Sequence, residues 1–130
     1  MNRVIDAGTA EHYAWGGVCD GWHLVRAEGL SVIEERMPTG AQEQRHSHAK
    51  ARQFFYVLEG ELTMEVEGRE HRLGARQGIE VAPGERHQAM NESGADVRFL
   101  VISSPPAQGD RQPAEGQAAR AAVRGSGFRR

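Results

Sequence analysis

Two histidines stand two residues apart, at His46 and His48, and Gln53 follows five residues later at the start of an apolar run that ends at Gly60. A second stretch, Pro83-Gly84-Glu85-Arg86-His87, leads to Asn91. On an extended strand, residues i and i+2 leave by the same face, so both imidazoles of the pair point the same way. Imidazole is the commonest metal-binding side chain, and the pair supplies two adjacent coordination positions. His87 and the amide oxygen of Gln53, from neighbouring strands, would supply a third and a fourth. One or two positions then stay open for water or substrate, which marks a reactive site rather than a closed structural one. The expected ligand set is therefore His46, His48, Gln53 and His87. The expected cofactor is a divalent ion (Zn, Mn, Fe, Ni or Cu), since imidazole does not select among such metals. An amide oxygen ligates without charge. The shell is thus neutral, and the full charge of the metal is left to an anionic ligand such as a carboxylate or enolate.

Strand parity from these ligands predicts the rest of the cavity. Phe55 and Val57 share the side of Gln53, and Gln44 that of His46. Met37, Met90, Phe99 and His23 are further lining candidates. Such a lining, mostly apolar with a few polar handles, is typical of a small-molecule site. Acid–base candidates are few: His23, Tyr56, and Glu34 or Glu80 if they face inward. No residue is assigned a catalytic role on this basis.

Strands must position these groups. Trp22–Arg26, the apolar half of Leu30–Met37, Gln53–Glu59 and Leu62–Glu67 read as strands. So do Glu70–Leu73, Gly78–Val81, His87–Met90 and Val97–Ile102. A hairpin turn is expected at Glu67-Gly68-Arg69 and another turn at Asn91–Gly94. Residues 42–48 are polar throughout, and their extension is inferred from parity alone. About nine short strands, with turn signals every 8–12 residues and no helix before residue 105, predict an antiparallel sandwich or barrel. Trp15 and Trp22 are expected to cover a barrel face or a subunit seam. After Ser104 the composition turns to Pro, Ala, Gly and Arg. Residues 105–130 are expected to be a flexible tail, with at most a short helix over Pro113–Arg124, behind a domain spanning 1–104.

Composition narrows the function classes. The 130 residues are 38% hydrophobic and 26% charged, a globular balance with no apolar run near the ~20 residues of a membrane span. Cys19 is the only cysteine, so no internal disulfide is expected, and with no secretory-type apolar segment a cytoplasmic location is expected. Five arginines against Asp110 and Glu115 give residues 105–130 a net +3, which leaves 1–104 at −5 within the chain's −2. An acidic body does not suit a phosphate backbone, so neither nucleic acid nor membrane is an expected partner.

The two stretches together resemble the motifs of a small single-domain cupin of the RmlC-like jelly-roll superfamily. The first motif, Gly-x5-His-x-His-x(3–4)-Glu-x6-Gly, falls on Gly40, His46, His48, Gln53 and Gly60. The second falls on Gly84, His87 and Asn91, with Arg76 and Ala82 where Gly and Pro are usual. Gln53 replaces the usual Glu. The resemblance implies an all-β double-stranded β-helix, with a divalent metal inside the barrel mouth and a homodimer paired through N-terminal strands. The ligand spacing is similar to that of cupins that linearise unsaturated uronates in pectin breakdown, although Val97–Ser104 lacks the acidic residue described for them. Two functions follow as expectations. One is a metal-dependent isomerase, lyase or dioxygenase acting on a small anionic or oxygenated metabolite. The other is a non-catalytic, metal-dependent small-molecule binding or sensing module.

Overall fold

The computed structural model describes residues 2–115, which hold eleven strands and no helix. In chain order they are β1 (Glu11–Trp15), β2 (Cys19–Arg26), β3 (Ser31–Met37), β4 (His46–His48), β5 (Arg52–Glu59) and β6 (Leu62–Val66). These are followed by β7 (Arg69–Leu73), β8 (Gly78–Val81), β9 (His87–Met90), β10 (Val97–Ser104) and β11 (Arg111–Pro113). They form two antiparallel sheets, ordered β1-β2-β3-β10-β5-β8 and β11-β4-β9-β6-β7. The chain passes repeatedly from one sheet to the other, as in the expected jelly roll.

Alternation decides the inner face of the six-stranded sheet. Along β3, Ser31, Ile33, Glu35 and Met37 are buried while the residues between them are only partly so. Along β10 the buried set is Val97, Phe99, Val101 and Ser103, and along β5 it is Gln53, Phe55 and Val57. The registers align these into rows: Ser31–Ser103–Gln53–Val81, then Ile33–Val101–Phe55–Ile79, then Glu35–Phe99–Val57. One row is thus polar and the next apolar. Leu62, Met64 and Ala89 face them from the other sheet. Burial of each large apolar side chain stabilises the barrel by roughly 1.5–3 kcal/mol.

Two glycines are required by geometry. The β6–β7 hairpin turns at Glu67 (φ 49°) and Gly68 (φ 90°), the two positive-φ positions of a tight hairpin. Gly60 has φ 88°, and a Cβ there would lie 2.5 Å from the Asp96 carbonyl oxygen and 2.9 Å from the Val97 Cα. Another strand therefore runs where its side chain would be.

The structure departs from the sequence reading in three places. Residues 11–15 form β1. Of residues 42–48 only His46–His48 is strand, with Gln42 making an isolated bridge to Met90. Arg111–Pro113, inside the stretch expected as a tail, pairs with β4 over all three of its residues. Pro113 therefore ends a strand, Ala114 and Glu115 follow it without helical structure, and residues 116–124 of the expected helix lie outside the described residues. No helix among the described residues is long and apolar enough to cross a membrane.

Candidate metal centre

His46 and His48 leave β4 by the same face, and His46 is paired in register with His87 of β9. All three are buried, and their ligand atoms lie within 4.8 Å of one another. The rings are mutual neighbours, with centroids 4.5 Å apart for His46–His87, 4.8 Å for His46–His48 and 5.8 Å for His48–His87. The backbone orients two of them. His46 Nδ1 lies 2.7 Å from the Gln44 carbonyl and His87 Nδ1 lies 3.1 Å from the Glu85 carbonyl. A carbonyl only accepts, so each Nδ1 carries the proton and each Nε2 keeps its lone pair for a metal. The two motifs are also tied together: the Gly84 N–H donates to the His48 carbonyl at 2.7 Å.

Gln53 stands on the inner face of the opposite sheet, two residues before Phe55, whose ring packs edge-on to His87 at 5.8 Å. Its Nε2 donates to Ser103 Oγ at 3.0 Å. Its Oε1 is buried with no hydrogen-bond partner among the described residues. A buried amide oxygen without a donor is costly, and a cation would satisfy it. The three convergent imidazoles are a donor set that fits a divalent ion, and this oxygen is a candidate fourth.

The other sequence candidates fall as follows. Phe55, Val57, Met37 and Phe99 are fully buried in the interior cluster, with Phe99 6.4 Å from Phe55. Met90 is buried too, but alternation along β9 turns it away from the face that carries His87 and Ala89. Gln44 contributes its backbone carbonyl, which also accepts from Arg111 Nη2 at 3.2 Å. His23 is half-buried, its ring 5.0 Å from that of Tyr13 and its Nδ1 without a hydrogen-bond partner among the described residues; burial pushes its pKa down. Tyr56 stacks on Phe54 on the outer face. Glu34 and Glu80 are also on the outer face, ion-paired with Arg98 and Arg52. Trp15 is a core residue, whereas Trp22 lies partly exposed under the Arg98 guanidinium, 4.7 Å from its ring centre. Asn91 forms the turn after β9, donating to the carbonyls of Met37 and Ala95 at 2.8 Å each.

Two charged groups on the inward faces of the sheets were not foreseen. Glu35 is fully buried on the inner face of β3 and accepts from the Tyr13 hydroxyl at 3.0 Å. Tyr13 reaches it by crossing Gly21, where a Cβ would lie 2.2 Å from the phenol ring. The signal was available: Glu35 has the parity of Met37. Arg111 is the second. It lies directly across from His48 in the β4–β11 ladder and therefore on the histidine face.

The outer face of the five-stranded sheet is also polar and buried. Arg45 grips Glu65 through two bonds, Nε to Oε1 at 2.7 Å and Nη2 to Oε2 at 2.9 Å. Burial pushes the Glu65 carboxyl up, but Arg45 and the Gly68 N–H outweigh it and hold the group below its ordinary value.

Comparison with known proteins adds a family and a fold. The family model for the Cupin domain matches residues 33–103. The tetracenomycin polyketide synthase protein TcmJ of Streptomyces glaucescens is 30% identical over 83 residues, covering 64% of this chain and 48% of that protein. The polyketide synthase CurC of Streptomyces cyaneus is 31% identical over 77 residues, covering 59% and 47%. The chain thus spans about half the length of the curated relatives it matches. Among solved structures, the polyketide cyclase RemF of Streptomyces resistomycificus superposes with a TM-score of 0.76 at 19% identity, covering 91% of this chain and 89% of that one. KdgF from Halomonas sp. gives 0.74 at 17%, covering 83% and 97%. At these identities the likeness is one of fold.

Proposed function

The chain belongs to the cupin family, and from that membership we propose that it is a metal-dependent cupin enzyme acting on a small anionic or oxygenated metabolite. The observation that carries the reading is the convergence of His46, His48 and His87 to within 4.8 Å in a buried interior. Gln53 would complete the ligand set through its Oε1. A divalent ion held there supplies a Lewis acid for a carbonyl or enediol oxygen.

The chain's own residues support the rest. Phe55 covers one side of His87 and excludes water from the reacting centre. The neutral donor set, with the Arg111 guanidinium on the histidine face, favours an anionic ligand. Glu35, with the Tyr13 hydroxyl on its Oε2, is an interior carboxylate able to hold or pass a proton. The shell departs from the two-His-one-carboxylate iron pattern. Proton-transfer chemistry next to a carbonyl, as in isomerisation, elimination or cyclisation, is therefore favoured over oxygen activation. Two substrate classes come first: polyketides, from the names of TcmJ, CurC and RemF, and unsaturated uronates, from the ligand spacing.

The test is direct. Protein purified without a His tag should carry about one divalent metal per chain by elemental analysis. Metal-loaded protein incubated with both substrate classes should form product detectable by mass spectrometry, and His48→Ala should abolish it. A non-catalytic binding module is the second reading, supported by a β10 inner face (Val97, Phe99, Val101, Ser103) with no carboxylate. Saturable binding without turnover across the panel would favour it.

A further inference from the structure

The strand that carries two of the three histidines is short and is held mainly from outside. On its inner side β4 makes one registered pair with β9, His46 with His87. On its outer side it makes three with β11: His48 with Arg111, Ser47 with Gln112 and His46 with Pro113. The contacts just beyond the strand follow the same division. The Asp110 carboxylate accepts the N–H groups of Ala49 (3.1 Å), Lys50 (2.9 Å) and Ala51 (2.9 Å). Those three residues belong to the loop that separates His48 from Gln53. Before the strand, Arg111 Nη2 donates to the Gln44 carbonyl, the same oxygen that orients His46, and the Ala114 N–H donates to the Arg45 carbonyl at 3.0 Å. Behind Asp110, its own N–H closes a turn on the carbonyl of Ala107, which is itself buried.

A carboxylate that takes three consecutive backbone N–H groups forms strong, charge-assisted bonds and fixes the conformation of the loop that supplies them. Here that loop sets the distance between two candidate ligands.

We propose that Asp110 is a positioning residue for the metal centre, and that segment 107–114 is a clamp whose docking onto β4 and metal binding are one coupled equilibrium. The bonds by which the clamp holds this strand and its flanking loop end on backbone groups. It acts through the backbone, holding His46 and His48 at the separation that His87 and Gln53 require. Outer groups that orient ligands in this way typically contribute about 10- to 100-fold in metal affinity. Coupling is reciprocal, so bound metal must tighten the clamp by the same factor.

The inference rests on the metal reading above, and the experiment separates the two. Zinc affinity is measured by chelator competition on the full chain for wild type, Asp110→Asn, Asp110→Glu and Glu80→Gln, the last an exposed ion-paired carboxylate on β8. Asp110→Asn is expected to weaken zinc about tenfold or more, Asp110→Glu to recover part of the loss, and Glu80→Gln to match wild type. Hydrogen exchange of wild-type peptides covering 107–114 is expected to slow when zinc is added. An Asp110 that serves only general stability would lower the melting temperature of the metal-free protein and leave zinc affinity within twofold of wild type. That result, or exchange in 107–114 indifferent to zinc, overturns the clamp. Wild type that binds no zinc, manganese, iron, nickel or copper instead overturns the reading of the site.

Discussion

Gln53→Glu probes the charge of the proposed metal shell with almost no change of shape. In the folded chain Gln53 Nε2 donates to Ser103 Oγ, and Oε1 is buried without a donor among the described residues. A glutamate in the same place accepts from the Ser103 hydroxyl and brings one negative charge to the shell. The three histidine ligand atoms lie within 4.8 Å of one another, and taking roughly the same spacing for the new carboxylate and an anion held by the same ion sets the scale. Two unit charges at such a distance repel by roughly 3 kcal/mol at an effective dielectric constant of about 20. That corresponds to a loss of more than about a hundredfold in anion affinity. Metal affinity should move the other way, because the added charge attracts the cation. Without metal, burial raises the pKa of the new carboxyl, so the metal-free variant loses stability as pH rises past about 4.3. Calorimetric titration of zinc-loaded wild type and variant with malonate, beside the uncharged malonamide, separates charge from shape. A malonate affinity unchanged by the substitution refutes the assignment of Gln53 to the shell.

Other outcomes follow from the same geometry. Arg45→Met strands a fully buried Glu65 and should cost about 3–5 kcal/mol, or about 10–20 °C in melting temperature; Arg45→Met with Glu65→Leu should recover most of it. The pair also dictates a pH signature. Because the Glu65 pKa lies below its ordinary 4.5, its contribution is complete above that value and is lost as pH falls through the lowered pKa. In Arg45→Met burial, the largest influence on this carboxyl, is opposed chiefly by the Gly68 N–H, so the pKa should rise and acidification should relieve the variant while it weakens wild type, as melts between about pH 6 and 3 would show. Gly21→Ala pushes a methyl into the Tyr13 ring and should destabilise by about 1–3 kcal/mol, read from denaturant midpoints. Zinc at a hundred times its dissociation constant should add about 2.7 kcal/mol to wild-type stability and almost nothing to His48→Ala.

The histidine set was legible in the sequence because residue type and spacing both constrain it: a His-x-His pair needs only an extended backbone to become a same-face pair. Other parts were misread for physical reasons. Glu35 was passed over because a carboxylate at a core register usually reads as solvated, although its parity with Met37 marked it as inward. Leu62–Glu67 alternates cleanly, yet its polar face is buried as well, since Arg45 arrives from a distant loop to cover Glu65. No local pattern announces such a partner. Arg111-Gln112-Pro113 has no alternation either. Its strand character comes from the backbone groups of β4, which exist only once the barrel has formed. Trp22 and Trp15 look equivalent in sequence, but in the structure Trp15 is core and Trp22 is covered by Arg98.

Gly60 belongs to the same motif as His46, His48 and Gln53, but it answers to a different demand. Its place is set by the Asp96 carbonyl and the Val97 Cα, which occupy the space of a side chain. No ligand touches it and no charge depends on it. Over evolutionary time the two halves of the motif can therefore part company. A descendant of this chain could lose its imidazoles one by one and still be unable to exchange the glycine. The barrel would outlive its chemistry, emptied of metal but still recognisable, and free to acquire another use.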